Sequence, residues 1–122
     1  MYKLLLVFVG GGFGSVLRYL IGRYFEFTEK DVFSGTFIVN VLGSLLIGIL
    51  FGLAERHHTL TPNQTLLLAT GFCGGFTTFS TFALENTALI RSGNYFNLFL
   101  YISATVIVGI GAVFLGMYFT KG

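Results

Sequence analysis

The sequence predicts an all-α membrane protein with four transmembrane helices, forming one domain over residues 1–122. Three observations support this fold class. Hydrophobic residues make up 54% of the chain and charged residues only 10%, whereas an ordinary soluble domain has about 25% charged residues. The apolar residues form four stretches, each near or above the roughly 20 residues that a helix needs to cross a bilayer. Only short polar segments separate these stretches, so no second domain fits between them.

The composition also excludes several classes of protein. So few charged residues cannot cover the surface of a soluble enzyme, and the same apolar content rules out a disordered chain. Seven Lys and Arg residues against five Asp and Glu form no basic stripe, so no nucleic-acid partner is expected. A single cysteine, Cys73, excludes an intramolecular disulfide. No HExxH, GxSxG or phosphate-binding GxxxxGKS/T motif occurs, so the chain is predicted not to be an enzyme.

The four apolar stretches predict the membrane helices in chain order. The first stretch continues past Arg18, which favours a membrane helix over a cleaved signal peptide. The second connection contains the one proline, Pro62, and Thr61 is placed to cap a helix that starts there. The predicted helices span residues 4–24, 33–54, 65–90 and 96–119, and the connections span residues 26–31, 55–64 and 91–94.

The basic residues at the ends of the stretches define no preferred orientation. Lys and Arg are normally enriched on the cytoplasmic side of a membrane protein. Here the two sides are balanced, so the chain either inserts both ways and pairs antiparallel, or inserts one way under a weak signal. One side carries Lys3, Arg56 and Lys121, and the other carries Arg23, Lys30 and Arg91.

The third stretch is poorly suited to a continuous helix. Its centre reads GFCGGFTTFSTF over residues 71–82. Glycine is about 1 kcal/mol less favourable than alanine inside a helix, and threonine is also a weak helix former. We therefore expect a break near residues 74–78, where backbone at that depth must be buried in protein or line a cavity, as at transporter ion sites. The alternative is a continuous helix whose small residues Gly71 and Gly75 pack against a neighbour.

Polar side chains inside the apolar stretches are the candidate binding residues. Asn40 lies in the middle of the second stretch, where it either bonds a neighbouring helix or donates its NH2 group to a ligand. Arg18 and Glu85 are charged, and such residues usually face the protein interior or a water-filled space. Tyr101 and Thr105 lie four residues apart and share a helix face, either as packing contacts or as a track for an ion.

Two of the fifteen phenylalanines follow the expected break directly. Phe79 and Phe82 are three residues apart and lie on one face of a helix that resumes there. An aromatic ring has a positive edge, which can stabilise an anion without holding it tightly. Packing between helices is the simpler interpretation of such a pair.

Three segments together resemble the Fluc/CrcB fluoride channel family over essentially the whole chain. They are GGGFGSVLRY at residues 10–19, GTFIVNVLGSLLIG at residues 35–48 and GFCGGFTTFSTFALE at residues 71–85. The last segment is the longest and most specific of the three. Chain length and the four-helix layout agree with the resemblance.

The resemblance implies a homodimer of dual topology in the cell inner (plasma) membrane, with two antiparallel pores that pass fluoride and exclude chloride. It also implies a third helix broken at the membrane centre. Backbone carbonyls of Gly74 and Thr77 from both subunits would hold one structural Na+ there. The matching pore residues are Asn40, Phe79, Phe82, Ser80, Thr81, Tyr101 and Thr105, and Arg18 matches a vestibule residue.

The expected function is therefore the passive export of fluoride, which reduces fluoride toxicity. A pore suffices, because the membrane potential drives an anion outward with about 2.3 kcal/mol per charge per 100 mV. Two alternatives stay open: a proton-coupled small multidrug-type exporter, and a structural membrane subunit without transport. The exporter needs an acidic residue at the membrane centre, whereas Glu85 lies toward the end of its stretch.

Overall fold

The computed structural model describes residues 2–120 as a bundle of helices. Helix α1 spans Tyr2–Tyr24 and α2 spans Gly35–Arg56. Helix α3 covers residues 62–76, α4 spans Ser80–Ser92 and α5 spans Tyr95–Phe119. Four helical segments are long and apolar enough to cross a membrane: Tyr2–Tyr24, Gly35–Arg56, Pro62–Ser92 and Tyr95–Phe119. These segments confirm the four predicted spans of a multi-pass membrane protein.

Helices α1 and α3 pack backbone to backbone through glycines. A Cβ atom added at Gly10 would overlap the Leu67 carbonyl oxygen, and one at Gly14 would overlap the Phe72 carbonyl oxygen. From the other side, a Cβ at Gly75 would lie 2.9 Å from the Cα of Gly11. In lipid, burial of apolar surface does not drive helices together, so helix association depends on close packing. Small residues such as glycine allow that close packing.

Helices α2 and α5 form a second close pair. A Cβ at Gly48 would overlap the backbone of Val113, and a Cβ at Gly116 would lie 2.7 Å from the amide nitrogen of Ile49. At one end of this pair the Arg56 guanidinium donates to the Met117 carbonyl at 2.9 Å. The predicted orientation residue Lys121 lies just outside the described residues.

The connections between helices are short and partly tied together. The side-chain amides of Asn94 and Asn97 donate to the Glu29 carbonyl at 3.1 and 2.7 Å, which joins the first and third connections at one end of the bundle. Near this end, Val32, Leu89 and Tyr101 form a buried apolar cluster. This end of the bundle therefore combines a buried apolar cluster with hydrogen bonds between two connections.

Helix α3 begins as its sequence predicts and then departs from regular geometry. Pro62 is the first helical residue, and Thr61 and Gln64 form a reciprocal capping box. The segment Leu66–Cys73 is π-helical, and Gly74–Phe76 returns to α-helix. Thr77 then adopts an extended conformation, with φ −87° and ψ 159°, and helix α4 begins at Ser80. We refer to Thr77, Thr78 and Phe79 as the interruption.

Candidate functional site

The interruption faces a cavity of about 530 Å³ between helices α2, α3, α4 and α5. Most of the predicted pore and ion residues line it, and the neighbouring lining residues are small or apolar. The lining residues are Asn40, Gly43, Ser44, Ile47, Ala69, Cys73, Gly74, Thr77, Thr78, Phe79, Phe82, Thr105, Val106 and Gly109. None of these residues carries a charge at neutral pH.

Asn40 holds the backbone of the interruption from helix α2. Its Oδ1 accepts a hydrogen bond from the Thr78 N–H at 2.9 Å, and its Nδ2 donates to the Thr78 carbonyl at 3.0 Å. The backbone groups determine the orientation of the amide, because an N–H can only donate. One N–H of the NH2 group is used in this pair, so the other is free to bind a ligand.

Two carbonyls beside Asn40 have lost their normal helical donors. In a continuous helix the Thr78 N–H would bond the Gly74 carbonyl, but here it bonds Asn40 instead. The Thr81 N–H would likewise bond the Thr77 carbonyl, but it donates to Thr78 Oγ1 at 3.3 Å. A Cβ atom added at Gly74 would meet no atom within 4 Å, so space is open beside this residue.

At the interruption, these two carbonyls are more suitable ligands for a small hard cation than the Asp and Glu side chains of the described residues are. Unwound backbone carbonyls coordinate Na+ in broken membrane helices. Within residues 2–120, no group of three or more His, Cys, Asp or Glu side chains is placed to hold a metal ion. The oxygen donors at the interruption are therefore backbone carbonyls and threonine hydroxyls, and one chain contributes only part of a coordination shell.

Phe79, the last residue of the interruption, and Phe82, in the first turn of α4, both line the cavity. The ring centroids of Phe79 and Phe82 are 6.0 Å apart, with 52° between the ring planes. Phe82 also meets Tyr101 edge to face at 5.0 Å. Phe79 is 78% exposed in the single chain, whereas Phe82 is partly buried, so the two rings have different surroundings.

Tyr101 and Thr105 are not brought into one cavity. Tyr101 is fully buried, and its hydroxyl donates to Glu85 Oε1 at 2.7 Å. The other carboxylate oxygen, Oε2, accepts from Thr36 Oγ1 at 2.8 Å. Thr105 lines the cavity instead, and its buried hydroxyl has no hydrogen-bond partner among the described residues.

The remaining predicted site residues lie next to the interruption on its other side. Thr81 and Arg18 line a second cavity of about 270 Å³, together with Thr36 and Thr78. The Arg18 Nε donates to the Gly75 carbonyl at 3.0 Å. Ser80 is exposed, and its hydroxyl lies 3.4 Å from that of Thr78.

Thr78 is the residue of the site that the sequence did not single out for a role. It lines both cavities, and its backbone is held by Asn40. Its hydroxyl accepts from the Thr81 N–H at 3.3 Å, in the first turn of helix α4. A threonine shortly before a helix is a recognisable signal of a helix start in a sequence. The contact between Thr78 and Asn40 joins residues 38 positions apart, and no local sequence pattern indicates it.

The chain is similar to proteins of one family over nearly its whole length. The family model described as CrcB-like protein, Camphor Resistance (CrcB), matches residues 5–117. A protein of Gloeothece citriformis named Fluoride-specific ion channel FluC is 46% identical over 122 residues, which cover 99% of this chain and 98% of that protein.

Two further relatives have the same description. A Fluoride-specific ion channel FluC of Phocaeicola vulgatus is 47% identical over 123 residues, covering 99% of this chain and 100% of that protein. A Fluoride-specific ion channel FluC 2 of Bacillus cereus is 45% identical over 118 residues, covering 96% of each chain. With a family model matched over residues 5–117 and relatives of this identity, the chain belongs to the CrcB-like family.

Proposed function

We propose that this protein is a fluoride-selective ion channel that lets fluoride leave the cytoplasm passively, in bacteria across the inner membrane. The observation that carries the proposal is the similarity, over 96% or more of the chain, to proteins named as fluoride-specific ion channels. The cavity beside the interruption supports it, because that cavity combines hydrogen-bond donors with aromatic rings and has no charged lining residue.

The chemistry of the cavity suits a small, strongly hydrated anion. Fluoride must exchange water for other donors, and the free N–H of Asn40, which lines the cavity, can supply one. The ring edges of Phe79 and Phe82 add weak positive potential. Neutral donors bind less tightly than a Lys or Arg would, and conduction requires that an ion leave as readily as it enters.

The proposed assembly is an antiparallel homodimer of dual topology. The balanced basic residues support it, because neither orientation of the chain is favoured. The surface beside the interruption supports it too, because Gly74 and Phe79 are exposed in the single chain. A second copy would cover this surface and complete the cavity wall.

The proposal extends to one structural Na+ at the centre of the dimer, a bilayer-centre site held by carbonyls of both copies. The loss of helical donors at the Gly74 and Thr77 carbonyls supports this site, as does the open space beside Gly74. A bound Na+ would add positive charge between the two interruptions. The residues of this chain supply only neutral backbone oxygens to it.

Substitutions at the two positions test the sodium site. Gly74→Val fills the open space without a clash inside one chain, so it should weaken the dimer and abolish its stabilisation by Na+. Thr77→Ser keeps the hydroxyl bond to the Cys73 carbonyl and should retain both properties. Melting temperature and dimer fraction are measured in NaCl and in N-methylglucamine chloride. Equal behaviour of Gly74→Val and the wild type would contradict the site.

The function itself is tested with purified protein in liposomes. Fluoride efflux is followed with a fluoride electrode. Valinomycin lets K+ leave the liposomes, so that the charge of the departing fluoride is balanced. Chloride efflux is the control. We expect fast fluoride efflux with chloride efflux at the level of empty liposomes. Equal passage of chloride, or no fluoride efflux from folded protein, would contradict the proposal. The names of the relatives do not favour a multidrug-type exporter or a structural subunit.

A further inference from the structure

Arg18 makes a contact that a purely electrostatic role in the vestibule does not require. Its Nε donates to the carbonyl oxygen of Gly75 at 3.0 Å, across 57 residues of sequence. The hydroxyl of Ser15, one turn earlier in α1, lies 3.5 Å from the same oxygen. Helix α1 therefore directs two donors at one carbonyl, two residues before the interruption.

The close packing of α1 on α3 makes this contact possible. A Cβ added at Gly75 would lie 2.9 Å from the Cα of Gly11, and a Cβ at Gly14 would lie 2.8 Å from the amide nitrogen of Phe76. Any larger residue at these positions would separate the two backbones. Because the backbones are this close, the guanidinium of Arg18 reaches around the end of α3 from one turn beyond Gly14.

The end of α3 needs such a partner. The last carbonyls of a helix have no intrahelical donor and carry partial negative charge, which a cation compensates. Successive carbonyls in an α-helix lie about 100° apart around the axis. Arg18 holds the Gly75 carbonyl on the α1 side, and the Gly74 carbonyl therefore lies on a different side of the helix. A Cβ atom added at Gly74 would meet no atom within 4 Å, so this residue is not packed against another helix of the chain.

We infer that Arg18 is a positioning residue: its Nε–H caps the end of α3 and so keeps the interruption in the shape that exposes the Gly74 and Thr77 carbonyls. The consequence for fluoride flux rests on the proposed function, but the cap itself does not. A charged side chain inside a membrane span is energetically unfavourable unless it has a polar partner, and the Gly75 carbonyl is such a partner for Arg18. Arg18 thus acts through Gly75 and needs no contact with fluoride.

Two substitutions at position 18 separate the cap from the charge. Glutamine has its Nε2 at the same distance along the side chain as the Nε of arginine, so Arg18→Gln keeps a donor for Gly75 but removes the charge. Arg18→Met removes both. The matched control is Arg23→Met, because Arg23 lines the same second cavity but makes no hydrogen bond or ion pair within residues 2–120.

Hydrogen–deuterium exchange of the full-length protein in detergent is the first measurement, read at the amides of Thr77 and Thr78. Arg18→Met should raise their exchange rate more than about tenfold, in line with the loss of a hydrogen bond to a charged group. Arg18→Gln should raise it only about threefold, because a neutral donor remains. Arg23→Met should leave it unchanged.

Fluoride efflux in liposomes is the second measurement. Arg18→Met should lower the flux equally at low and high ionic strength, whereas a vestibule charge would matter mainly at low ionic strength. The proposed cap would be overturned if the amides of Thr77 and Thr78 exchanged at the wild-type rate in Arg18→Met, or at equal rates in Arg18→Gln and Arg18→Met. If Arg18→Met does not fold, a rise above about tenfold in Arg18→Gln overturns it. A wild type that passes no fluoride would refute the proposed function and leave the exchange result standing.

Discussion

Asn40 links the backbone of the interruption to helix α2 with a single side chain. Its side-chain oxygen accepts from the Thr78 N–H at 2.9 Å and its NH2 group donates to the Thr78 carbonyl at 3.0 Å, so the side chain replaces a pair of lost helical hydrogen bonds. Because its second N–H remains free and the residue lines the cavity, Asn40 combines a structural contact with a possible ligand donor. The two interpretations of this residue from sequence are therefore compatible.

Asn40→Asp should lower fluoride flux more than about tenfold, the change that about 1.4 kcal/mol produces. The substitution keeps the acceptor for the Thr78 N–H but places a carboxylate oxygen against the Thr78 carbonyl. It also adds a negative charge that repels an anion. Liposome efflux is the measurement. Asn63→Asp, at an exposed position outside both cavities, is the control, and near-normal flux in Asn40→Asp would mean that the NH2 group has no role in conduction.

Phe82 is held between two other aromatic rings. It meets Tyr101 edge to face at 5.0 Å and Phe79 at 6.0 Å. The hydroxyl of Tyr101 is in turn fixed by Glu85 at 2.7 Å. The orientation of the Phe82 ring is therefore determined by its contact with buried Tyr101 and not only by its own helix.

Phe79→Ile and Phe82→Ile should each lower fluoride flux more than about tenfold while the melting temperature stays close to the wild type. Isoleucine keeps apolar bulk but has no positive ring edge. Phe114→Ile, on the exposed face of α5, is the matched control and should leave flux unchanged. If isoleucine at both cavity positions preserves fluoride flux and chloride exclusion, the rings only fill space.

At the scale of whole elements, glycine determines which helices approach each other. The chain contains 17 glycines, and only some of them meet a neighbouring backbone. A Cβ at Gly48 would lie 2.9 Å from the carbonyl carbon of Val113, whereas a Cβ at Gly111 would meet no atom within 4 Å. Identical residues in two apolar helices thus have opposite roles, and the difference depends only on packing.

Gly48→Ala should therefore destabilise the fold by about 1–3 kcal/mol, because the methyl group forces α2 away from α5. Gly111→Ala should instead stabilise α5 by up to about 1 kcal/mol through its higher helix propensity. Reversible unfolding in mixed detergent micelles measures both changes. A stabilisation of similar size in the two variants would mean that propensity, and not the α2–α5 contact, determines the result.

At the scale of the whole molecule, the single chain leaves much of its apolar surface uncovered. Exposed large side chains run along α1 and α5, as expected for helices that face lipid. The surface next to the interruption is different, because it combines exposed Phe79 with carbonyls and hydroxyls. Lipid would leave such groups unsatisfied, and this is the physical reason for the dimer proposed above.

In an antiparallel dimer, a cysteine tag at either terminus should be labelled from both sides of the membrane in one population of protein. The reason is the balance of three basic residues against three at the two sides. Impermeant maleimide on intact and opened vesicles measures this. The native Cys73 is buried and gives a low background. Labelling from one side only would contradict dual topology.

The sequence by itself determined the fold class and the positions of the four spans. Hydropathy is local, so residues 4–24 or 33–54 are recognised as membrane helices without knowledge of their neighbours. The cap at Thr61 and Pro62 is local as well and was predicted correctly. The composition of residues 71–82 indicated where regular helix is weak, and there the described chain has Thr77 extended between two helical segments.

Only the tertiary structure decided which partners these residues have. The bonds of Asn40 to Thr78 and of Arg18 to Gly75, and the separation of Tyr101 from Thr105, depend on contacts between helices far apart in sequence. The π-helical segment Leu66–Cys73 also has no local signal in its apolar residues. Hydrogen bonds between distant groups depend on how closely backbones pack, and that distance is a property of the assembled helices, not of any one segment.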